Sequence, residues 1–134
     1  MTIPTEPIGS IPRPPGLLAA MAGHERGEVS DTALAAAQDE AIRDTIRRLE
    51  DTGSPVVSDG EQSKPSFVTY PIAGLTDLAP GGIVIPFADG HQRQLPVLTG
   101  GPFRYQVHAD TYLRAALGHT KAPVKQAVDR KSVV

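Results

Sequence analysis

A long amphipathic helix that leads directly into a short apolar strand restricts the fold of this chain more than any other feature. Over residues 30–52, apolar side chains recur at helical spacing. Ser30 is a suitable N-cap, and Gly53 followed by Pro55 is a typical helix end. The stretch Pro55–Ser58 has the composition of a buried strand, so the two elements form the second half of a βαβ unit. We therefore predict an α/β fold in which helices flank parallel strands.

The other predicted elements alternate around this unit. They are a strand at Glu6–Ile8, a helix entered through Pro14 and Pro15 and ended by Gly23, a loop over 63–80, a β-hairpin over 82–98 with its turn at Asp89-Gly90, a helix over 108–118 and a strand at Pro123–Val128. This order predicts two to three β/α units with an inserted hairpin.

Composition excludes several classes of function. The net charge of −2 and the lack of a basic run leave no electrostatic basis for nucleic-acid binding. Cysteine is absent, which excludes disulfides and thiolate metal ligands within this chain. No stretch approaches the ~18 apolar residues that a membrane span needs, and no signal peptide is visible, so we expect a cytoplasmic protein. Aromatic residues are only 4%, less than a self-contained core usually holds, which suggests a piece of a larger fold.

Two polar sites follow the first two predicted strands. Asp59 and Glu61 come directly after Val57, where a β/α fold holds its ligands. Two positions apart in an extended chain, their side chains point the same way and could bind an amine, position a cation or share a proton. Gly9-Ser10 could offer backbone amides to a carboxylate. The alternatives are two solvated acids and a plain turn, but we expect both places to face one pocket.

The remaining polar residues give no further site. The four histidines, His24, His91, His108 and His119, lie far apart and lack metal-ligand spacing. We expect His91 at the surface and His108 at the surface or as a helix cap. The basic residues Lys64, Arg93 and Arg104 are scattered along the chain, and each is expected to be a solvated charge.

Three segments resemble a known family. Thr5–Pro14, with the sequence TEPIGSIPRP, resembles the opening of the catalytic barrel of cobalamin-independent methionine synthase and its shorter single-barrel relatives. Val56–Gln62, VVSDGEQ, is similar to the second motif of that family, and Pro123–Val128, PVKQAV, looks like its next barrel strand. The segments occur in the family order and together span residues 3–128.

The resemblance implies a partial TIM-like (β/α)8 barrel and a methyl transfer from methyltetrahydrofolate to homocysteine, which forms methionine. It implies that Ile8, Gly9 and Ser10 hold the amino-acid substrate and that Glu61 binds its amino group. Asp59 would then support Glu61 or its loop. It also implies zinc, held by ligands on later strands, as the ion that makes homocysteine a thiolate, the competent nucleophile.

The sequence departs from this family in length and in cysteine content. A complete barrel of this type needs about 250 residues, against 134 here. We therefore expect residues 1–128 to be the N-terminal part of a catalytic barrel, inactive alone, with the zinc ligands in the remainder. The charged residues 129–134 match the translation of a common sequencing adapter and are expected to be non-native.

Two other functions stay open at this point. One is a small binding domain without catalysis, and the other is a related barrel methyltransferase with a different thiol acceptor. The sequence contains no signal for an oligomeric state.

Overall fold

The computed structural model describes residues 5–66, 69–88, 90 and 92–128. The chain divides into two compact units. The first unit contains the chain up to Lys64 and from Ala109 onward, and the second unit is Pro65–His108. The predicted non-native tail, 129–134, lies outside the described residues.

Three helices belong to the first unit. They are α1, Pro15–Glu25; α2, Asp31–Asp51; and α3, Ala109–Leu117. The predicted start of α2 is confirmed, because the Ser30 hydroxyl accepts a hydrogen bond from the Ala33 amide at 3.2 Å. Helix α1 does not end at Gly23 as predicted. Gly23 lies inside the helix, where a methyl group would come within 2.7 Å of Val29, so close packing explains this glycine.

The core of the first unit lies between helices α2 and α3 and the strand-like segment at Val57. Ile42 and Ile46 from α2 pack with Val57 and with Ala116 from α3, and all four side chains are buried. Ile42 and Ile46 are among the apolar residues whose helical spacing predicts α2. Helices α2 and α3 therefore cover the side chain of Val57, and the polar residues of the candidate site follow it directly in sequence.

A parallel bridge joins the two predicted strands of this unit. The Val57 amide donates to the Pro123 carbonyl at 2.9 Å, and the Lys125 amide donates to the Val57 carbonyl at 2.8 Å. The predicted strand at Glu6–Ile8 is wrong, because the described residues of that segment form no β-ladder. Pro7 lacks an amide donor, and Glu6 is instead held by a side-chain ion pair with Lys125 at 2.9 Å.

The second unit is built from short antiparallel strands. They are β1, Leu78–Ala79; β2, Val84–Pro86; β3, Gln92–Gln94; and β4, Val97–Leu98. Strand β2 pairs with β3, which confirms the predicted hairpin, and β1 pairs with β4, which adds a ladder where part of a loop was predicted. The predicted Asp89-Gly90 turn falls partly outside the described residues. A single 3₁₀ turn at Tyr70–Ile72 precedes the strands.

The fold is therefore α/β, with helices, one parallel bridge and two small antiparallel sheets among the described residues. These residues do not close a barrel. In the described part of the chain, no helix has both the length and the apolar character that crossing a membrane requires.

Candidate functional site

The residues that follow Val57 form a tight turn with an unusual backbone. Gly60 and Glu61 both have left-handed φ angles, 64° and 56°. The Ser58 hydroxyl accepts from the Gly60 amide at 3.2 Å, and Asp59 Oδ1 accepts from the Glu61 amide at 3.0 Å. A glutamate in this region costs about 1–3 kcal/mol and persists only where its surroundings fix it, which is typical of functional sites.

This turn lies directly against the first candidate site. The Ser58 hydroxyl donates to the Gly9 carbonyl at 3.2 Å. A methyl group at Gly9 would lie 3.0 Å from Glu61 Oε1 and 3.0 Å from the Ala127 side chain. Gly9 therefore has to be a glycine for Glu61 to approach this closely. The structure brings together the two places that the sequence predicts to share a pocket.

The candidate side chains differ strongly in exposure. Asp59 is 1% exposed and the Glu61 side chain 15%, so the alternative of two solvated acids is wrong. Within the described part of the chain, Asp59 Oδ2 is buried without a hydrogen-bond partner. Ile8 is 91% exposed and Ser10 is also exposed, whereas Gly9 is buried. Only the backbone of this segment is held against the turn.

Lys64 belongs to this site, although the sequence predicts a solvated charge. Its side chain is 2% exposed, and Nζ donates to the Ala127 carbonyl at 2.5 Å. The same Nζ lies 4.0 Å from Glu61 Oε1 and 5.7 Å from the centre of the Tyr112 ring. A buried cation beside Glu61 offsets part of the cost of burying that carboxylate. The only sequence signal is the position of Lys64, three residues after Glu61 in a tight turn.

Arg13 is the second residue that sequence reasoning missed. Its guanidinium donates to the Glu61 carbonyl and to the Gln62 carbonyl, both at 3.2 Å, and also to the Lys64 carbonyl. The sequence assigned it only to the entry of helix α1. Its partners are main-chain atoms distant in sequence, so no residue pattern indicates them.

Gln62 connects the turn to helix α2. Its amide nitrogen donates to the Ile11 carbonyl at 3.4 Å and to the Thr45 hydroxyl at 3.3 Å, and the Ile11 amide donates to the Gly60 carbonyl at 3.0 Å. Beside this contact is a groove of about 390 Å³. The residues that line it are Ile11, Pro12, Pro14, Pro15, Ala41, Asp44, Thr45, Arg48, Leu49, Thr52 and Gln62.

The residues present do not fit a zinc site. Among residues 5–66, 69–88, 90 and 92–128, no group of three or more His, Asp or Glu side chains is placed to hold a metal ion, and the sequence has no cysteine. His24 contacts Asp31 and His119 contacts Asp39, both at 2.7 Å and on the surface. His91 lies outside the described residues. No step of a reaction is assigned to a metal held by these residues.

Comparison with known proteins gives relatives of one kind, although no protein-family model matches the chain. A 5-methyltetrahydropteroyltriglutamate–homocysteine methyltransferase from a Synechococcus species is 34% identical over 125 residues, which are 92% of this chain and 16% of that protein. A methionine synthase from Sulfurisphaera tokodaii is 37% identical over 68 residues, 51% of this chain and 20% of that protein.

One similar solved structure is that of a B12-independent methionine synthase from a Shewanella species, in complex with selenomethionine. It has a TM-score of 0.59 and 22% identity, and the match covers 75% of this chain and 30% of that one. In sequence, the chain is similar to methionine synthases. It spans a fifth or less of the length of the two curated methionine synthases it matches.

The similarity to the Synechococcus methyltransferase includes the turn that follows Val57. An alignment that covers 92% of a 134-residue chain must contain residues 58–64, wherever its ends fall. The turn that carries Glu61 is therefore part of the region shared with the Synechococcus methyltransferase.

Proposed function

We propose that this chain provides the amino-acid-binding part of an active site of the methionine synthase type. In that reaction a methyl group passes from methyltetrahydrofolate to the thiol of homocysteine, and methionine is formed. The carboxylate of Glu61 would bind the substrate ammonium group, and the backbone of Ile8, Gly9 and Ser10 would bind its carboxylate. The observation that carries the proposal is the close approach of Glu61 to Gly9, and the turn that carries Glu61 lies in the region similar to the Synechococcus methyltransferase.

The electrostatics of the turn suit this role. Only 15% of the Glu61 side chain is exposed, so most of its desolvation cost is met before a ligand binds. Asp59 holds the Glu61 amide through Oδ1, which fixes the backbone that carries the carboxylate. Hydrogen bonds to a charged group contribute about 1.5–3 kcal/mol, enough to select an ammonium over a neutral group.

The chain's own residues would bind and orient the substrate and leave activation of the thiol to other groups. A thiolate rather than a thiol is the nucleophile in such a transfer, and the family resemblance implies that zinc would supply it. Because the residues described here do not fit zinc, the methyl-transfer step is proposed for a complete site that contains further ligands.

The proposed architecture is the first part of a (β/α)8 barrel, formed by residues 1–128. Two features support it. Val57 and Val124 are bridged in parallel, and α2 and α3 pack on one side of Val57, as helices pack outside barrel strands. The likeness in fold to the Shewanella protein agrees with this arrangement. We keep residues 129–134 outside the barrel as a proposed non-native tail.

Calorimetric titration of the chain with L-methionine tests the proposed function. A parallel titration with 4-(methylthio)butanoate, which lacks the amino group, isolates the ammonium contact. We expect methionine to bind more tightly, and Glu61→Gln to weaken methionine binding by roughly 10- to 150-fold while leaving the deaminated analogue nearly unchanged. Glu28→Gln is the matched control, since Glu28 is exposed and pairs with Arg26.

Equal affinity for methionine and its deaminated analogue would refute the proposed ammonium contact. The same conclusion follows if Glu61→Gln binds methionine as tightly as the unmodified chain does. A loss of affinity in Glu28→Gln as large as in Glu61→Gln would show that the effect comes from net charge and not from this site.

A further inference from the structure

We infer that Arg13 is a positioning residue of the amino-acid site, and that its guanidinium fixes the turn that carries Glu61. The inference rests on the proposed function for the role of Glu61. It concerns a residue that does not itself contact the substrate but determines where the Glu61 carboxylate lies.

The contacts of Arg13 converge on the main chain of one short turn. Nε donates to the Gln62 carbonyl at 3.2 Å, and Nη2 donates to the Glu61 carbonyl at 3.2 Å and to the Lys64 carbonyl. These partners are 48 to 51 positions away along the chain. One side chain thus holds three carbonyl groups within four residues, which neither a helix nor a strand provides at this point.

The turn needs such support because its backbone is strained. The left-handed conformation of Glu61 costs about 1–3 kcal/mol, and within the turn the side chains of Ser58 and Asp59 accept hydrogen bonds from the amides of Gly60 and Glu61. Arg13 acts on the carbonyl group of Glu61 itself and on the carbonyl groups of Gln62 and Lys64. Amides held from one side and carbonyls from the other restrict the rotation of the Glu61 backbone, and therefore the direction of its side chain.

Arg13 also fixes the turn relative to the other half of the site. It lies four residues after Gly9, in a segment that is tied to the turn by the hydrogen bond from the Ile11 amide to the Gly60 carbonyl. Moving the guanidinium would change the position of Glu61 relative to Gly9, where only a glycine leaves room for the carboxylate. Arg13 therefore controls the separation of the two groups proposed to bind the ammonium and the carboxylate of the substrate.

Lysine cannot replace this arginine. The guanidinium is planar and presents five N–H donors in a fixed fork, whereas an ammonium is a single compact charge. Binding carbonyls through both Nε and Nη2 uses that geometry. The inference therefore predicts that Arg13→Lys, which keeps the charge and most of the alkyl stem, behaves like a loss of function at the site.

The test compares Arg13→Lys and Arg13→Ala with the unmodified chain, using the ratio of affinities for L-methionine and 4-(methylthio)butanoate. We expect this ratio to fall about tenfold in both variants, and to recover in Arg13→Ala when millimolar guanidinium ion is added, because the free ion can occupy the vacated position. Arg26→Ala is the control, since its exposed guanidinium pairs with Glu28. Circular dichroism verifies that each variant is folded, and Arg13→Lys remains available if Arg13→Ala unfolds.

The amide resonances of Gly60 and Glu61 provide an independent measurement. They should shift in both Arg13 variants and return toward their original positions when guanidinium is added to Arg13→Ala. An unchanged affinity ratio with unchanged amide resonances would overturn the inference and leave the proposed function intact. If the unmodified chain shows no preference for methionine, the proposed function fails, and the amide resonances still decide whether Arg13 positions the turn.

Discussion

Replacing Gly9 with alanine tests the geometry of the site without removing a polar group. The added methyl group would lie 3.0 Å from the Ala127 Cβ and 3.0 Å from Glu61 Oε1. Ordinary van der Waals contacts of a side-chain methyl group are 3.4–4 Å long, so these neighbours must move by a few tenths of an ångström. Overpacking of this kind costs about 1–3 kcal/mol.

For a chain of this length, each kcal/mol lowers Tm by roughly 4 °C, so we expect Gly9→Ala to unfold about 4–12 °C below the unmodified chain. Thermal unfolding followed by circular dichroism measures the shift. Gly16→Ala is the control, because Gly16 lies in the first turn of α1 with nothing within 4 Å of the added methyl group. Alanine is preferred over glycine in a helix by about 0.5–1 kcal/mol, so this variant should be as stable or more stable.

The two glycine variants together show whether Glu61 and Ala127 lie against Gly9. If Gly9→Ala unfolded at the same temperature as the unmodified chain, Glu61 and Ala127 would not lie against Gly9. The proposed pocket would then lose its geometric basis. If both variants were destabilised equally, the effect would not come from the close approach at Gly9.

The remaining predictions concern the core and the surface of α2. Ile46→Ala should lower the free energy of unfolding by about 2–5 kcal/mol in urea denaturation, because Ile46 is 1% exposed and packs on Ile42, Val57 and Ala116; no change would refute this core. The hydrogen bond from Arg47, with the nearby charge of Arg48, lowers the pKa of Asp44. The ionised Asp44 carboxylate therefore contributes stability above the ordinary aspartate pKa, and this stability is lost as pH falls through the lowered pKa of Asp44. The urea midpoints of Asp44→Asn and of the unmodified chain should therefore converge at acidic pH.

Helix α2 could be predicted closely because the interactions that define it are local. Ser30 caps its first turn, and Gly53, with a left-handed φ of 75°, follows its last turn. The buried faces of α2 and α3 follow from the spacing of their apolar residues. The parallel relation of Val57 and Val124 could also be predicted, because a helix connecting two short apolar segments favours parallel strands.

The errors occur where a distant partner decides the conformation. Glycine is typical of a helix end, but Gly23 lies inside α1 at a position where a larger side chain would meet Val29. Lys64 is an isolated basic residue in the sequence, which is typical of a surface charge, but its ammonium binds the Ala127 carbonyl, 63 positions away. A main-chain acceptor has no residue identity, so the sequence carries no trace of it. The sequence could still predict that the segments around Gly9 and Glu61 share a pocket. That prediction rested on their positions after predicted strands and on their order, which is the same as in the family that the chain resembles.

Arg13 and Ser58 show why the two motifs act as a single structural unit. The hydroxyl of Ser58 contacts the carbonyl of Gly9, and the guanidinium of Arg13 contacts the turn around Glu61, so each motif stabilises the other. Contacts from Arg13 in the first motif offset part of the strain at Glu61. The second motif alone would therefore not hold Glu61 in its observed conformation. A site whose binding groups depend on each other in this way can be fully formed before a metal or a second substrate is bound. The proposed division of labour follows from this arrangement: these residues orient an amino acid, and groups elsewhere in a complete site activate its thiol.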